Sequence, residues 1–170
     1  MVEQKVLRTI RRDGTLHEIE DPEEALETLR HSTSHLMALA VKHLYPEVHF
    51  GIGPPTAEGF YYDFQMTHRL TEDDLQKIEF KMGELKSQSL LFEPSILDQS
   101  EALIFFREHG EELKAELIEE RDGQVLSSYS LGDLVDFCTG PHVMSTADLG
   151  CFKLLSVAGS YWRGNEQREQ

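Results

Sequence analysis

Cysteines and long apolar runs are both scarce in this sequence. Its 170 residues contain two cysteines, too few for a disulfide framework, and a chain of this length folds without one. No apolar run approaches the roughly 20 residues that cross a bilayer, and the N-terminus lacks the apolar core of a secretory signal. We therefore expect a globular, cytoplasmic protein without a membrane partner.

Positive charge is scarce as well. The chain has 16 Lys and Arg residues against 31 Asp and Glu residues, a formal net charge of −15. Coating a nucleic-acid duplex requires a surplus of cations, so this balance argues against a general, phosphate-driven nucleic-acid binder. A protein that handles one nucleic-acid end in a narrow pocket is compatible with it, although with weak affinity.

Turn formers and apolar spacing predict both helices and strands. Asp13-Gly14 lies between short apolar runs, which predicts a hairpin over residues 5–20. Asp21 is a capping residue followed by a proline and two acids, and apolar residues recur beyond it at helical spacing. We expect a helix over about 22–44 there.

The rest of the chain continues this mixture. Glycines and prolines in the middle of the chain favour tight turns and antiparallel pairing, so the predicted fold class is α+β, an antiparallel or mixed sheet with helices packed on it. The further elements expected are two strand-like pieces within 48–66, a helix over about 71–87, an edge strand with a proline at 90–97, a helical segment over 99–120 broken at Gly110, a strand at 124–130, a turn-rich segment at 132–143 and a last strand at 152–159.

Two pairs of residues carry candidate chemistry. His31 and His35 are four apart in the first predicted helix, so both rings project from one face. Cys138 and His142 are also four apart, with a Gly-Pro turn between them. An isolated His pair is weak evidence, because eight histidines in the chain give such spacings by chance. A helix pair and a loop pair can, however, converge on one point.

The chemistry of such a cluster has two interpretations. Three imidazoles and a thiolate would fill the tetrahedron of a zinc ion. Without metal, a neutral imidazole can take a proton from water. A metalloprotease is disfavoured, because that motif needs a Glu after the first histidine and this chain has Ser32. Nothing in the sequence marks Cys138 as a nucleophile.

Four stretches resemble one family. RHSTSHLMALAVKHLYP, GIGPPTAEGFYYDF, LVDFCTGPHV and FKLLSVAGSYWRG are similar, in this order, to the editing domain of bacterial-type threonyl-tRNA synthetases, which has relatives in alanyl-tRNA synthetases. The resemblance covers residues 25–166. It implies an N-terminal hairpin and linker at 1–24, an aminoacyl-tRNA editing domain at 25–166 and a polar tail at 167–170.

The resemblance implies an aminoacyl-tRNA deacylase. Serine differs from threonine by one methyl group, which binding alone discriminates poorly, so the synthetase hydrolyses mischarged seryl-tRNA(Thr) at a second site. The implied partner is the 3′ end of tRNA(Thr) carrying serine. We expect these 170 residues to lack the aminoacylation core, either as a fragment or as a free-standing relative, with the rest of a synthetase in cis or in trans.

The resemblance also implies roles for single residues and leaves two alternatives. No metal is expected to be required. If zinc is bound, the expected ligands are His31, His35, Cys138 and His142. Thr139 replaces the arginine usual in the family. This change and the acidic charge leave one alternative, a catalytically silent module that binds the tRNA 3′ end. The other alternative is a zinc-dependent hydrolase of the same fold. The implied catalytic residues are His31, His35, Cys138, His142 and Lys114, and the implied substrate-binding residues are Tyr62, Asp63 and Asp136.

Overall fold

The computed structural model describes residues 6–121 and 125–159. Within these ranges all paired strands are antiparallel and helices pack on the sheets, which confirms the predicted α+β class. The elements are β1 (Leu7–Ile10), β2 (Leu16–Ile19), α1 (Pro22–Leu44), β3 (His49–Phe50), β4 (Phe64–Gln65), α2 (Glu72–Ser87), β5 (Phe92–Leu97), α3 (Gln99–Glu108), α4 (Glu112–Glu119), β6 (Leu126–Leu131), β7 (Leu134–Phe137) and β8 (His142–Val143), followed by one 3-10 turn (Thr146–Asp148).

The strands form three small sheets, with the orders β2-β1-β8, β3-β4 and β5-β6-β7. As predicted, β5 is an edge strand: it pairs only with β6, so Pro94 removes no hydrogen bond that a second neighbour would need. The central strand β6 joins β5 to β7. This arrangement brings β7, and the loop that follows it, under α1.

Helix α1 is the centre of the fold, and it begins and ends at the predicted residues, Pro22 and Leu44. Asp21 caps it by accepting hydrogen bonds from the backbone N–H groups of Glu23 and Glu24, both at 2.9 Å. Residues 32–41 are all buried, because α1 packs against α2 on one side and against β6, β7 and β8 on others. Among the described residues, no helix combines the length and the apolar character needed to cross a membrane.

The N-terminal hairpin forms as predicted and reaches the middle of the chain. Strands β1 and β2 pair around Gly14, whose φ of 80° suits a glycine. The other edge of β1 pairs with β8, in a register that puts Ile10 opposite His142. The hairpin is thus hydrogen-bonded to the strand that carries one of the candidate site residues.

Two predictions about strands were wrong. Residues 152–159 form no strand; the backbone N–H of Leu154 and the ammonium of Lys153 instead bind the carboxylate of Glu79 on α2, and Leu155 is 85% exposed. The short strands β7 and β8 were not predicted, because they lie in the segment 132–143, which was expected to be rich in turns. The motif FKLLSVAGSYWRG extends past residue 159, so its residues 160–164, like the polar tail at 167–170, lie outside the described residues.

Other elements differ from expectation only in length. The two strands within 48–66 are two residues each, because tight turns and an isolated bridge between Pro55 and Phe60 occupy the rest. Strand β6 begins at Leu126, and Gln124 lies outside the described residues. The helices at 72–87 and on both sides of Gly110 form as predicted.

The cap of α1 gives a test of the fold. Asp21→Ala removes both capping hydrogen bonds, so we expect the free energy of unfolding to fall by about 1 kcal/mol. Asp21→Asn keeps a capping oxygen, so its free energy of unfolding should fall by only about a few tenths of a kcal/mol. Chemical denaturation of the three proteins measures this, and equal stability of all three would contradict the assigned cap.

Candidate functional site

Four candidate residues meet at one point between α1 and the β7–β8 segment. One ligand atom from each of His31, His35, Cys138 and His142 lies within 4.8 Å of the others. The Cys138 Sγ is 3.3 Å from the His31 Nε2 and 3.4 Å from the His142 Nε2. The His142 ring centroid is 4.3 Å from the centroid of each of the other two imidazoles.

The loop that carries Cys138 is fixed from both ends. The backbone N–H of Cys138 donates to the Ser127 carbonyl at 3.1 Å, and the Ser127 hydroxyl donates to the Cys138 carbonyl at 2.7 Å. Gly140 has a φ of 62° and lies so close to the Tyr129 ring that an added Cβ would overlap it. Cys138 therefore cannot shift far from the two helical histidines.

His142 is held from every side. Its side chain is fully buried and stacks on Phe92, with ring centroids 4.8 Å apart. Its Nδ1 is 2.9 Å from the Ser32 hydroxyl oxygen, which also accepts the backbone N–H of Val143 at 3.1 Å. These contacts point the Nε2 atom at the cluster. Ser32 and Phe92 were not predicted as site residues, and only the position of Ser32 beside His31 could have indicated a role.

A buried ion pair lies directly behind the cluster. The Lys114 ammonium and the Asp136 carboxylate pair with each other at 3% side-chain exposure each. The Tyr62 hydroxyl donates to Asp136 at 2.5 Å and accepts from Lys114 at 3.0 Å. The His35 Nδ1 is 3.4 Å from the same carboxylate, so the network joins the cluster through His35.

Burial sets the protonation of the cluster. It lowers the pKa of His31 to about 3, helped by the neighbouring His35, and the pKa of His35 to about 4 against the favourable charge of Asp136. It also lowers the pKa of His142 well below its usual value and raises the pKa of the Cys138 thiol to about 12. At neutral pH the cluster is thus three neutral imidazoles and a thiol.

The charges are confined to the network behind the cluster. Burial alone would raise the pKa of Asp136, but the Lys114 ammonium and His35 outweigh it and bring that pKa below its usual value. Burial and the Asp136 carboxylate raise the pKa of Tyr62 well above 10. Asp136 is therefore an ionised carboxylate whose partners are Lys114, Tyr62 and His35.

The structure gathers seven of the eight predicted site residues around this point. Lys114, for which the sequence context was loose, is buried beside Asp136. Tyr62 lies against Lys114, whose ammonium is 5.4 Å from the centroid of the Tyr62 ring. Asp63 is half-buried next in the chain, where its backbone pairs with Gly51 and Ile52. The roles of all eight remain predictions.

The cluster has the donor set and the surroundings of a zinc site. Two donors on a zinc tetrahedron lie roughly 3.5 Å apart, and the two sulfur–nitrogen separations of 3.3 and 3.4 Å are close to that. Ligating histidines usually bind a carboxylate or another polar group through their second nitrogen. The His142 Nδ1 does so with Ser32, and the His35 Nδ1 lies 3.4 Å from the Asp136 carboxylate. The residues present therefore fit a metal ion in donor type, and the ion would have to displace the thiol proton and draw together donor atoms that now lie within 4.8 Å of one another.

The buried ion pair yields a test by double-mutant cycle. Lys114→Met or Asp136→Asn alone leaves one buried group without its partner, and we expect each to lower the free energy of unfolding by about 3–5 kcal/mol. The double variant should lose clearly less than the sum of the two. Denaturant unfolding of the four proteins measures the coupling.

The exposed pair of Lys81 and Glu84 provides the control for this cycle. Lys81→Met removes a comparable charge at the surface and should cost less than about 1 kcal/mol. A Lys114→Met variant no less stable than Lys81→Met would contradict the burial of the pair.

Comparison with known proteins gives one consistent answer. Residues 126–170 match the profile of the family described as threonyl and alanyl tRNA synthetase second additional domain. The chain is 49% identical over 164 residues to a threonine–tRNA ligase of Geobacter sp. (strain M21), covering 95% of the chain and 26% of that protein. It is 48% identical over 147 residues to the threonine–tRNA ligase of Methylococcus capsulatus, covering 86% of the chain and 23% of that protein.

A third relative agrees with these. The threonine–tRNA ligase of Carboxydothermus hydrogenoformans is 46% identical over 155 residues, covering 91% of the chain and 24% of that protein. The chain thus spans about a quarter of the length of the curated relatives that it matches.

Proposed function

We propose that this chain, whose residues 126–170 match the threonyl and alanyl tRNA synthetase second additional domain and which is 49% identical to part of a threonine–tRNA ligase, hydrolyses the aminoacyl ester of mischarged seryl-tRNA(Thr). The proposal assigns residues 25–166 to the editing domain, with the N-terminal hairpin and the polar tail outside it. Its partner is the 3′ end of tRNA(Thr) carrying serine, in the cytoplasm, with the rest of a synthetase in cis or in trans.

The convergence of His31, His35, Cys138 and His142 is the observation that carries the proposal. Water attack on an ester needs a base for the water, a donor for the developing oxyanion and an acid for the leaving ribose oxygen. Neutral imidazoles at neutral pH can serve as bases. We assign this role to His31, which is partly exposed, whereas His35 and His142 are at most 2% exposed.

The network behind the cluster supports the reaction by positioning. Asp136 is surrounded by Lys114, Tyr62 and His35, which favours its orienting His35 over its binding the substrate's ammonium. We assign Lys114 the task of keeping Asp136 ionised and Tyr62 in place. Asp63, half-buried beside Tyr62, is the carboxylate that we propose for the ammonium of the aminoacyl group.

Single-turnover deacylation tests the proposal. Seryl-tRNA(Thr) and threonyl-tRNA(Thr) are incubated separately with the protein at low salt, with and without a chelator. We expect rapid loss of serine, slow loss of threonine and no effect of the chelator. His31→Ala should lower the rate on seryl-tRNA by about 10²-fold or more, the usual contribution of a positioned base.

His109→Ala is the matched control, because His109 is exposed and lies outside the cluster. It should leave the rate unchanged. Equal loss of serine and threonine would contradict the selectivity, and no loss of either would contradict the hydrolase and favour a silent module that binds the tRNA end.

A zinc-dependent hydrolase is the second candidate, favoured by the sulfur–nitrogen separations and by the partners of His35 and His142. The four groups would together fill the zinc tetrahedron, so zinc could polarise a carbonyl or acidify a bound water there only if one of them yielded its position. The chelator arm separates the two candidates, since loss of activity on chelation and recovery with zinc would favour this one.

A further inference from the structure

The Ser34 hydroxyl connects α1 to the segment that follows β3. Ser34 is fully buried, and its hydroxyl oxygen lies 2.7 Å from the carbonyl oxygen of His31 and 2.7 Å from that of Gly53, so its single proton is shared between them. The bond to His31 stays within the helix, as is common for serines in helices. The bond to Gly53 reaches another part of the chain, and it starts one residue before His35.

Arg30 holds the same segment one helical turn earlier. Its guanidinium donates to the carbonyls of Thr56 and Ala57, at 3.1 and 2.8 Å. Side chains four residues apart lie on one face of a helix, so Arg30 and Ser34 together lay this segment along α1. Each of the two comes one residue before a histidine of the cluster.

Gly53 transmits the position of this segment to Tyr62. Its backbone lies so close to the Tyr62 ring that an added Cβ would overlap the ring carbons. The preceding residues Gly51 and Ile52 form backbone hydrogen bonds with Asp63, both at 2.8 Å, which keep the two stretches of chain side by side. A displacement of Gly53 would therefore displace the ring of Tyr62.

Tyr62 leads on to the histidine cluster. Its ring is buried and stacks on Phe64, with centroids 5.1 Å apart. Its hydroxyl donates to the Asp136 carboxylate at 2.5 Å, and the same carboxylate is 3.4 Å from the Nδ1 of His35. An unbroken series of contacts thus joins the Ser34 hydroxyl to a histidine of the cluster.

We propose that Ser34 is a positioning residue for deacylation, which rests on the function proposed above. Its hydroxyl holds Gly53 against the Tyr62 ring, and Tyr62 in turn keeps the Asp136 carboxylate aligned with His35. Ser34 therefore acts through these groups and not on the substrate. Without the hydroxyl, the Gly53 carbonyl loses its partner on α1, and the backbone that supports the ring is free to move.

The hydroxyl proton of Tyr62 tests this without requiring hydrolysis. A buried hydroxyl that donates to a carboxylate makes a short, strong hydrogen bond, so its proton exchanges slowly with water and gives a separate downfield signal in nuclear magnetic resonance. Tyr62→Phe assigns the signal by its loss. We expect Ser34→Ala to shift or broaden it, because the ring loses its support at Gly53.

Thr33→Val is the matched control. Thr33 is the adjacent buried residue of α1, and its hydroxyl donates to the Leu29 carbonyl at 2.7 Å, within the same helix. The substitution removes a hydroxyl but no contact with another segment, so the Tyr62 signal should stay in place. Thermal unfolding checks that both variants are folded. An unmoved signal in Ser34→Ala, or equal shifts in both variants, would overturn the proposal.

Deacylation kinetics test the same series of contacts in the reaction. With protein in excess over seryl-tRNA(Thr), Ser34→Ala should lower the maximal rate about tenfold, since a misplacement of about 1 Å can cost about 10²-fold. The half-saturating protein concentration should not change, whereas a merely destabilised protein would raise it.

The same substitution in a Tyr62→Phe background completes a double-mutant cycle. There Ser34→Ala should change the maximal rate less than about twofold, because the hydroxyl through which Ser34 acts is already gone. A tenfold loss in both backgrounds would show that Ser34 acts by another route and would overturn the proposal.

The two readouts separate this proposal from the function on which it rests. A Tyr62 signal that moves only in Ser34→Ala, with no hydrolysis by any of the proteins, would support the series of contacts and contradict the proposed function. Hydrolysis as fast in Ser34→Ala as in the wild type would support the function and contradict the positioning role.

Discussion

The ion pair between Lys114 and Asp136 is the interaction on which the rest of the site depends. Burying two charges costs several kcal/mol unless each is surrounded by good partners. Tyr62 and His35 supply these partners around Asp136. The pair also joins α4 to β7 across the interior, so it fixes the positions of these two elements behind the histidine cluster.

Confining charge to this pair leaves the cluster in front of it neutral. Three imidazoles so close together could not all be protonated, and burial already disfavours their charged forms. Neutral imidazoles are both proton acceptors and metal ligands. The same burial therefore prepares the cluster for water activation and for zinc, and the difference between the two depends on whether the Cys138 thiol keeps its proton.

The sequence predicted the parts of the site that depend on local spacing. His31 and His35 share a helix face because they are one turn apart, and the cap at Asp21 made that helix recognisable. Cys138 and His142 are likewise four apart, around a Gly-Pro turn, and the resemblance added Lys114, Tyr62, Asp63 and Asp136. The burial of Lys114 could not be predicted from α4 alone, because a single lysine on a short acidic helix looks solvated until β7 supplies Asp136.

The wrong predictions have the same origin. Residues 152–159 are rich in apolar residues, but a strand needs a neighbour, and the segment binds Glu79 of α2 instead. Strand β7 was hidden among turn formers and exists because β6 pairs with it. Ser32 and Phe92 hold His142 through contacts between residues 50 or more positions apart, which no local pattern encodes.

Titration of the histidines by nuclear magnetic resonance tests the central claim most directly. Following the ring signals of the eight histidines from pH 8 to pH 4 separates buried from exposed rings. His31, His35 and His142 should remain neutral to below pH 5, since burial lowers the pKa of His31 to about 3 and that of His35 to about 4. Protonation of these three near pH 6.5, as in a solvated histidine, would show that the cluster is open to water and would contradict the account.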